Sequence, residues 1–273
     1  MRSVEVASTW PVGNVAVAVV TPDGVTGSLG DQQRVFPLAS VTKLLTSYAV
    51  LVAVEEGAVE WDQPAGPEGS TVRHLIAHTA GYAFDKAEVQ ATPGTRRIYS
   101  NAGFDVLASF VGEACEMPFA TYLHEAVFAP LGMNSSALVG SAGAGAESCA
   151  ADLALFAAEL LSPRLVSAEL VAEATSVVFP GLNGVLPGYG MQKPNDWGLG
   201  FEIRDSKSPH WTGLSFSPRT FGHFGQSGTF LWVDPEISAA CVALTDLRFG
   251  PWAVEAWTPF SDGVRAELVS RRA

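Results

Sequence analysis

Val15-Ala16-Val17-Ala18-Val19-Val20 is an unbroken apolar run, interrupted by Thr21-Pro22-Asp23-Gly24 and followed by Val25-Thr26-Gly27-Ser28-Leu29. Two such runs around a Pro-Asp-Gly turn read as strand, turn, strand, so a hairpin opens the chain. The stretch from Leu44 to Val54 is apolar on nearly every helical face, as a helix enclosed by other elements would be, and Gly57 supplies its C-cap. From there to about residue 185 the pattern is mostly helical, over residues 71–78, 102–112, 118–128 and 151–161, with Thr92-Pro93-Gly94 and Pro130-Leu131-Gly132 at the joints. Strand character returns over 199–203, 220–224, 229–233 and 237–245, and Asp234-Pro235-Glu236 turns the last two into a hairpin. Short helical patterns over 252–257 and 262–270 close the chain, and Pro259 is expected to split them.

Strands at both ends around a helical middle predict an α/β (α+β) fold. One antiparallel sheet is built from both chain ends and flanked by helices, with a mostly helical lobe inserted. The expected lobes are residues 1–60 with 186–273, and residues 61–185, and a cleft between lobes is a natural substrate site. The Gly/Ala/Ser stretch from Gly140 to Ala146 reads as a mobile loop. The loops 181–196 and 206–218 have no path readable from pattern.

Composition narrows the partners. The chain has 273 residues, 48% of them hydrophobic, enough to bury a large core and to exclude disorder. A net charge of -12 excludes a nucleic-acid surface, whose phosphates would be repelled. The apolar run of 44–54 falls short of the roughly 20 residues that span a bilayer, so no membrane insertion is expected. Met1-Arg2-Ser3-Val4-Glu5 carries an acid where a signal peptide wants bases. Cys115, Cys149 and Cys241 are odd in number and widely spaced, which fits reduced thiols and a cytoplasmic protein better than disulfides or zinc. His74 and His78 have the spacing of a zinc pair but lack an adjacent Glu and a third ligand, so no metal is expected.

The candidate chemistry begins with Ser40-Val41-Thr42-Lys43. A hydroxyl and an amine three residues apart share a helical face, and a Lys desolvated into its neutral form can take the hydroxyl proton during attack on a carbonyl. Lysine occurs only at 43, 86, 193 and 207, and no other has Ser three residues before it. Tyr99-Ser100-Asn101 is the one Tyr-x-Asn in the chain and His223-Phe224-Gly225 the one His-x-Gly. Neither a Gly-x-Ser-x-Gly elbow nor a GxGxxG loop is present, which disfavours an α/β-hydrolase or a nucleotide enzyme.

In that order the three motifs resemble those of the serine β-lactamase and penicillin-binding protein superfamily, specifically its class C β-lactamase-like esterase branch. The similarity extends to residues 75–81, 93–95, 130–133, 222–228 and 231–236, and covers about residues 13–248. The resemblance implies that Ser40 is the acylated nucleophile and that Lys43 holds or receives its proton. Tyr99, if its phenol is acidified by a Lys43 ammonium, would act as base in acylation and as acid toward the leaving group. Asn101 would bind Lys43 and the substrate, and the backbone N-H groups of Ser40 and Gln226 would form the oxyanion hole. His223 stands where many relatives carry Lys, so its charge would depend on pH. Gly225 would let the strand approach the substrate closely. Phe224 replaces a small hydroxyl residue that helps bind a substrate carboxylate, which favours esters with apolar groups over β-lactams. Relatives commonly carry an extra helix before the first strand, so one sheet face is expected to be thinly covered, which would promote pairing into a homo-oligomer.

The function expected is therefore a serine hydrolase of small esters or amides that needs no cofactor. The alternatives are a penicillin-binding D,D-peptidase or β-lactamase-like protein and a non-catalytic binding protein on the same fold.

Overall fold

The computed structural model describes residues 1–272. Its centre is a six-stranded antiparallel sheet whose strands come from both chain ends. One end gives β1 (Val15–Thr21) and β2 (Gly24–Leu29); the other gives β8 (Glu202–Ile203), β9 (Phe221–Gly225), β10 (Thr229–Asp234) and β11 (Ala239–Thr245). Their order is β2-β1-β11-β10-β9-β8, so the opening hairpin joins the terminal strands through β1 and β11, with Val17 opposite Ala243. Between them lie α1 (Thr42–Glu55), α2 (Val72–Ile76), α3 (Asn101–Ala114), α4 (Phe119–Leu123), α5 (Ala129–Leu131), α6 (Ala150–Leu161) and α7 (Ala168–Ala174). A one-turn π-helix, His124–Phe128, links α4 to α5.

The period-two pattern of the strands sorts side chains into two cores. Ala16, Ala18, Val20, Leu231, Val233, Val242 and Leu244 face the layer of α1, α3 and α6. Val17, Val19, Phe230, Trp232, Cys241 and Ala243 face the other side. There they meet α8 (Pro251–Arg272) and the short 3₁₀ helix Ser3–Thr9. The second face is thus fully covered, contrary to the thin cover expected from the short leading segment: Val4, Ala7, Trp10, Trp257, Phe260 and Val264 are all buried on it.

The C-terminal helix also departs from expectation, because Pro259 lies inside α8 rather than splitting it. A proline removes one backbone hydrogen bond and costs about 3 kcal/mol in a helix interior. Trp257, Phe260, Val264 and Leu268 are buried on the same face, and burying side chains of this size gives about 1.5–3 kcal/mol each, so packing outweighs the break. Two small sheets were not legible from pattern. One pairs β3 (Phe36–Pro37), β5 (Ala146–Ser148) and β4 (Ala137–Leu138); the other is the hairpin of β6 (Gly184–Leu186) and β7 (Gly190–Gln192). Among the described residues no helix is long and apolar enough to cross a membrane, and the three cysteines are free.

Trp232 anchors the second core, with no exposed surface, its indole N-H donating to Ser261 Oγ at 3.2 Å and its ring edge-on to Phe216 at 4.7 Å. Trp232→Ala should lower unfolding free energy by about 3–5 kcal/mol, read as a fall in the urea midpoint at unchanged m-value.

Candidate active site

A turn of 3₁₀ helix, Ala39–Val41, carries Ser40 into α1. Ala39 has φ of 46°, a left-handed conformation that costs a non-glycine residue about 1–2 kcal/mol. The strand beside it holds it there. Thr229 Oγ1 donates to the Leu38 carbonyl at 2.8 Å, and a Cβ on Gly225 would strike that carbonyl, Thr229 Oγ1 and the Ala39 methyl. Gly225 therefore makes room for the backbone that presents Ser40, where close approach to the substrate was the reason expected.

Lys43 is fully buried. Its Nζ donates to Asn101 Oδ1 at 2.6 Å and to the Gly143 carbonyl at 2.7 Å, and lies 4.5 Å from the Tyr99 ring centroid and 5.3 Å from that of Phe104. Asn101 opens α3 and is oriented by its Nδ2, which donates to Asp85 Oδ1 at 3.0 Å. Burial brings the Lys43 pKa from 10.5 to about 7, with Asp105 and Asp85 opposing the fall. The Gly/Ala/Ser stretch is a built wall of this site, not a mere mobile loop. Asp105 Oδ1 accepts from Ser141 Oγ at 2.7 Å and from the Ala142 N-H at 2.9 Å, and Thr46 Oγ1 donates to the Ala142 carbonyl at 2.7 Å.

Tyr99 sits just before α3, where Ser100 is the N-cap and its Oγ accepts the Gly103 N-H at 2.9 Å. Its ring is enclosed by His78 at 4.6 Å, Trp197 at 5.8 Å and Phe84 at 5.8 Å. His78, four residues after His74, thus serves as packing here, and its Nδ1 accepts the Ser100 N-H at 3.2 Å. Burial raises the phenol pKa above its usual value, a hydrogen bond with the Ser40 side chain opposes that rise, and Asp85 adds to it. The acidified phenol expected from sequence is therefore overturned: the Lys43 charge on which it depended is itself destabilised by burial.

His223 corrects a second expectation. Its Nδ1 lies 2.6 Å from the Phe224 carbonyl, which can only accept, so Nδ1 carries the proton. Burial and the adjacent Lys43 depress its pKa to about 3, against opposing contributions from the Phe224 carbonyl and Glu202, so the ring is neutral at physiological pH rather than a titrating cation. Nε2 is then an acceptor, and the Tyr99 hydroxyl, 3.3 Å away, is its donor. Hydroxyl, phenol and imidazole are thereby brought together from three separate stretches.

Ser40, Tyr99, His223, Phe224 and Gln226 line a cavity of about 50 Å³ together with Phe84, Leu186, Pro187, Glu202 and Trp211. Phe84, Tyr99 and Pro187 also border a larger hollow of about 510 Å³ with Val185 and Met191 on its rim. Behind the small cavity is a buried charge cluster. Glu202 Oε1 accepts Lys207 Nζ at 2.6 Å, while Oε2 accepts His210 Nε2 and the Trp211 indole N-H, each at 2.9 Å. Lys207 also donates to the carbonyls of Asp196 and Ile203. Burial pushes the Glu202 pKa up, but His210 and Lys207 outweigh it and bring it to about 2.

Ser40, Lys43, Tyr99, Asn101, His223, Phe224, Gly225 and Gln226, the residues expected from the sequence, all lie at this site. Phe84, Asp105, Gly143 and Glu202 also belong to it and were not foreseen from the sequence. Only the scarcity of lysine gave a usable hint of the Lys207 cluster, since its partners lie on a loop and on a two-residue strand.

Comparisons with known proteins agree with this architecture. The β-lactamase family model matches residues 12–260. A crystal structure of a β-lactamase from Mycobacterium bovis is 58% identical, with TM-score 0.97 over 97% of this chain and 99% of that one. At 16% identity, the fold of simvastatin synthase from Aspergillus terreus superposes with TM-score 0.79 over 97% of this chain and 93% of that one. Penicillin-binding protein 4* of Bacillus subtilis and the D-alanyl-D-alanine-carboxypeptidase/endopeptidase AmpH of Escherichia coli are each 25% identical, over 37% and 36% of this chain. The aligned stretch spans about a third of those curated relatives, 30% and 35% of their lengths. With its three motifs gathered on one cavity and the family match spanning nearly its whole length, the chain belongs to the β-lactamase family of serine hydrolases.

Proposed function

We propose that the protein hydrolyses small, uncharged carboxylic esters through an acyl-enzyme on Ser40, with Lys43 as the base. The observation that carries this reading is the fully buried Lys43 with a pKa of about 7. A neutral amine has two hydrogens and one lone pair; donation to Asn101 and Gly143 uses both hydrogens and leaves the lone pair for a proton. Ser40 Oγ attacks the ester carbonyl as its proton passes to Lys43 Nζ, and the backbone N-H groups of Ser40 and Gln226 receive the oxyanion. The tetrahedral adduct expels the alkoxide, which takes the Tyr99 phenol proton while the Lys43 ammonium returns one to Tyr99. Water then attacks the acyl carbonyl, its proton goes by way of Lys43 to Ser40 Oγ, and the acid leaves. Ester plus water gives acid plus alcohol, and every proton is returned.

The cavity favours uncharged acyl groups. None of its lining residues is a cation: His223 is neutral and Glu202 is an anion. A carboxylate-bearing substrate such as a β-lactam or a D-alanyl peptide would find no counter-charge there. The names of the relatives favour that second reading, a β-lactamase or D,D-peptidase; the ester reading expects p-nitrophenyl acetate to be turned over faster than a chromogenic cephalosporin, and the reverse order would favour the second.

Ser40→Ala and Lys43→Ala should each lower p-nitrophenyl acetate turnover by on the order of 10⁴-fold or more, and together hardly further, because members of one proton-transfer unit are not additive. Loss of Ser40 labelling by a fluorophosphonate in Ser40→Ala checks the nucleophile. The active form of Lys43 is the unprotonated one, so kcat/KM should fall about tenfold per pH unit below about 7. Asp105→Asn, which removes an anion that supports the ammonium, should move this limb to lower pH. Tyr99→Phe should lower the rate while leaving the limb in place; a limb that vanished with the phenol would transfer the base role to Tyr99.

A further inference from the structure

We infer that Trp211 is the specificity-determining residue of this site, setting the depth of the acyl pocket and restricting the enzyme to short acyl chains; this rests on the esterase reading above. The small cavity has an open and a closed end. Phe84 is 49% exposed and stands at the mouth, whereas Trp211 and Glu202 are each 1% exposed and form the floor. At about 50 Å³ the cavity is small, so an acyl chain that runs toward its closed end meets the Trp211 indole within a few carbons.

The floor cannot swing aside. The Trp211 indole N-H is held by Glu202 Oε2 at 2.9 Å, and that carboxylate is itself fixed by Lys207 and His210. The rings of Phe224 at 5.9 Å, Phe230 at 6.2 Å and His210 at 5.5 Å pack against the indole. Moving it would leave a buried N-H without an acceptor and an ionised Glu202 one donor short, so the floor acts as a rigid stop rather than an adaptable wall. His210 completes the brace through its Nε2, 2.9 Å from Glu202 Oε2. The Thr212 N-H donates to its Nδ1 at 3.2 Å, which leaves Nε2 as the protonated nitrogen facing Glu202. The Lys207–Glu202–His210 cluster, which the proton-transfer steps do not use, thereby acquires a role through Trp211.

The test compares kcat/KM for p-nitrophenyl acetate, butyrate and octanoate in the wild type, Trp211→Ala and Trp211→Leu. The wild type should prefer the short esters, and both variants should raise the octanoate-to-acetate ratio at least about tenfold, Ala more than Leu, since one methylene in a hydrophobic pocket is worth that much. Fluorophosphonate labelling of Ser40 is measured in parallel, and Trp211→Leu, which keeps an apolar floor, serves should the alanine variant fail to fold. A ratio unchanged in a variant whose Ser40 still labels overturns this inference and leaves the esterase reading standing. A wild type that neither labels at Ser40 nor turns over any ester overturns the esterase reading itself.

Discussion

The site depends on one buried amine. Lys43 is placed in the first turn of a helix whose residues from Thr42 to Ala53 are all buried, so its Nζ has no water to solvate a charge. An ammonium in such a setting is disfavoured by several kcal/mol, and the group responds by giving up its proton near neutrality. Everything around it serves to keep a neutral amine in one position. Asn101 and Gly143 take its hydrogens, Tyr99 and Phe104 close over it, and Asp85 and Asp105 limit how far the basicity falls. In the role proposed for Lys43, a base with no residual proton affinity would be as useless as one permanently protonated, and the two carboxylates hold it between those limits.

The same fold contains two buried titratable clusters that solve the desolvation problem in opposite ways. Around Lys43, Tyr99, His78 and His223, burial pushes each group toward its uncharged form. Around Glu202 and Lys207, the charges are kept and paired, with each carboxylate oxygen and the ammonium receiving or giving hydrogen bonds to fixed partners. Lys43, poised near neutrality, can pass protons; a saturated ion pair cannot, and it resists displacement instead. The first cluster is suited to chemistry and the second to support, and they meet at the wall of one small cavity.

Much of this was legible in the sequence because it depends on local pattern and rare residues. The apolar runs at both ends specified one antiparallel sheet, though not the full cover of its second face, and the scarcity of lysine made the Ser40–Lys43 spacing stand out. What was not legible depends on long-range burial. The phenol of Tyr99 and the imidazole of His223 have ordinary properties until the fold removes water from them, so the resemblance pointed the Tyr99 acidity in the wrong direction and left His223 as a group whose charge depends on pH. Pro259 follows the same logic, since a local rule for helix breaking was overruled by four side chains buried on the sheet. The segment from Gly140 to Ala146 carries no side chain that advertises a role, yet it supplies a backbone carbonyl to Lys43.

The buried amine also sets a cost that the rest of the core must offset. The unfolded chain would bind a proton at Lys43 below pH 10.5, the folded one only below about 7. Between these values the unfolded state binds more protons, so this group makes stability fall as pH drops, and below about 7 the penalty is constant. At about 1.4 kcal/mol for each pH unit that separates the two values, the penalty there is on the order of several kcal/mol, a large part of the net stability of a typical domain. The apolar layers on both faces of the sheet, closed on one side by α8 and the Ser3–Thr9 helix, supply the surplus that lets an amine be buried with its pKa near neutrality.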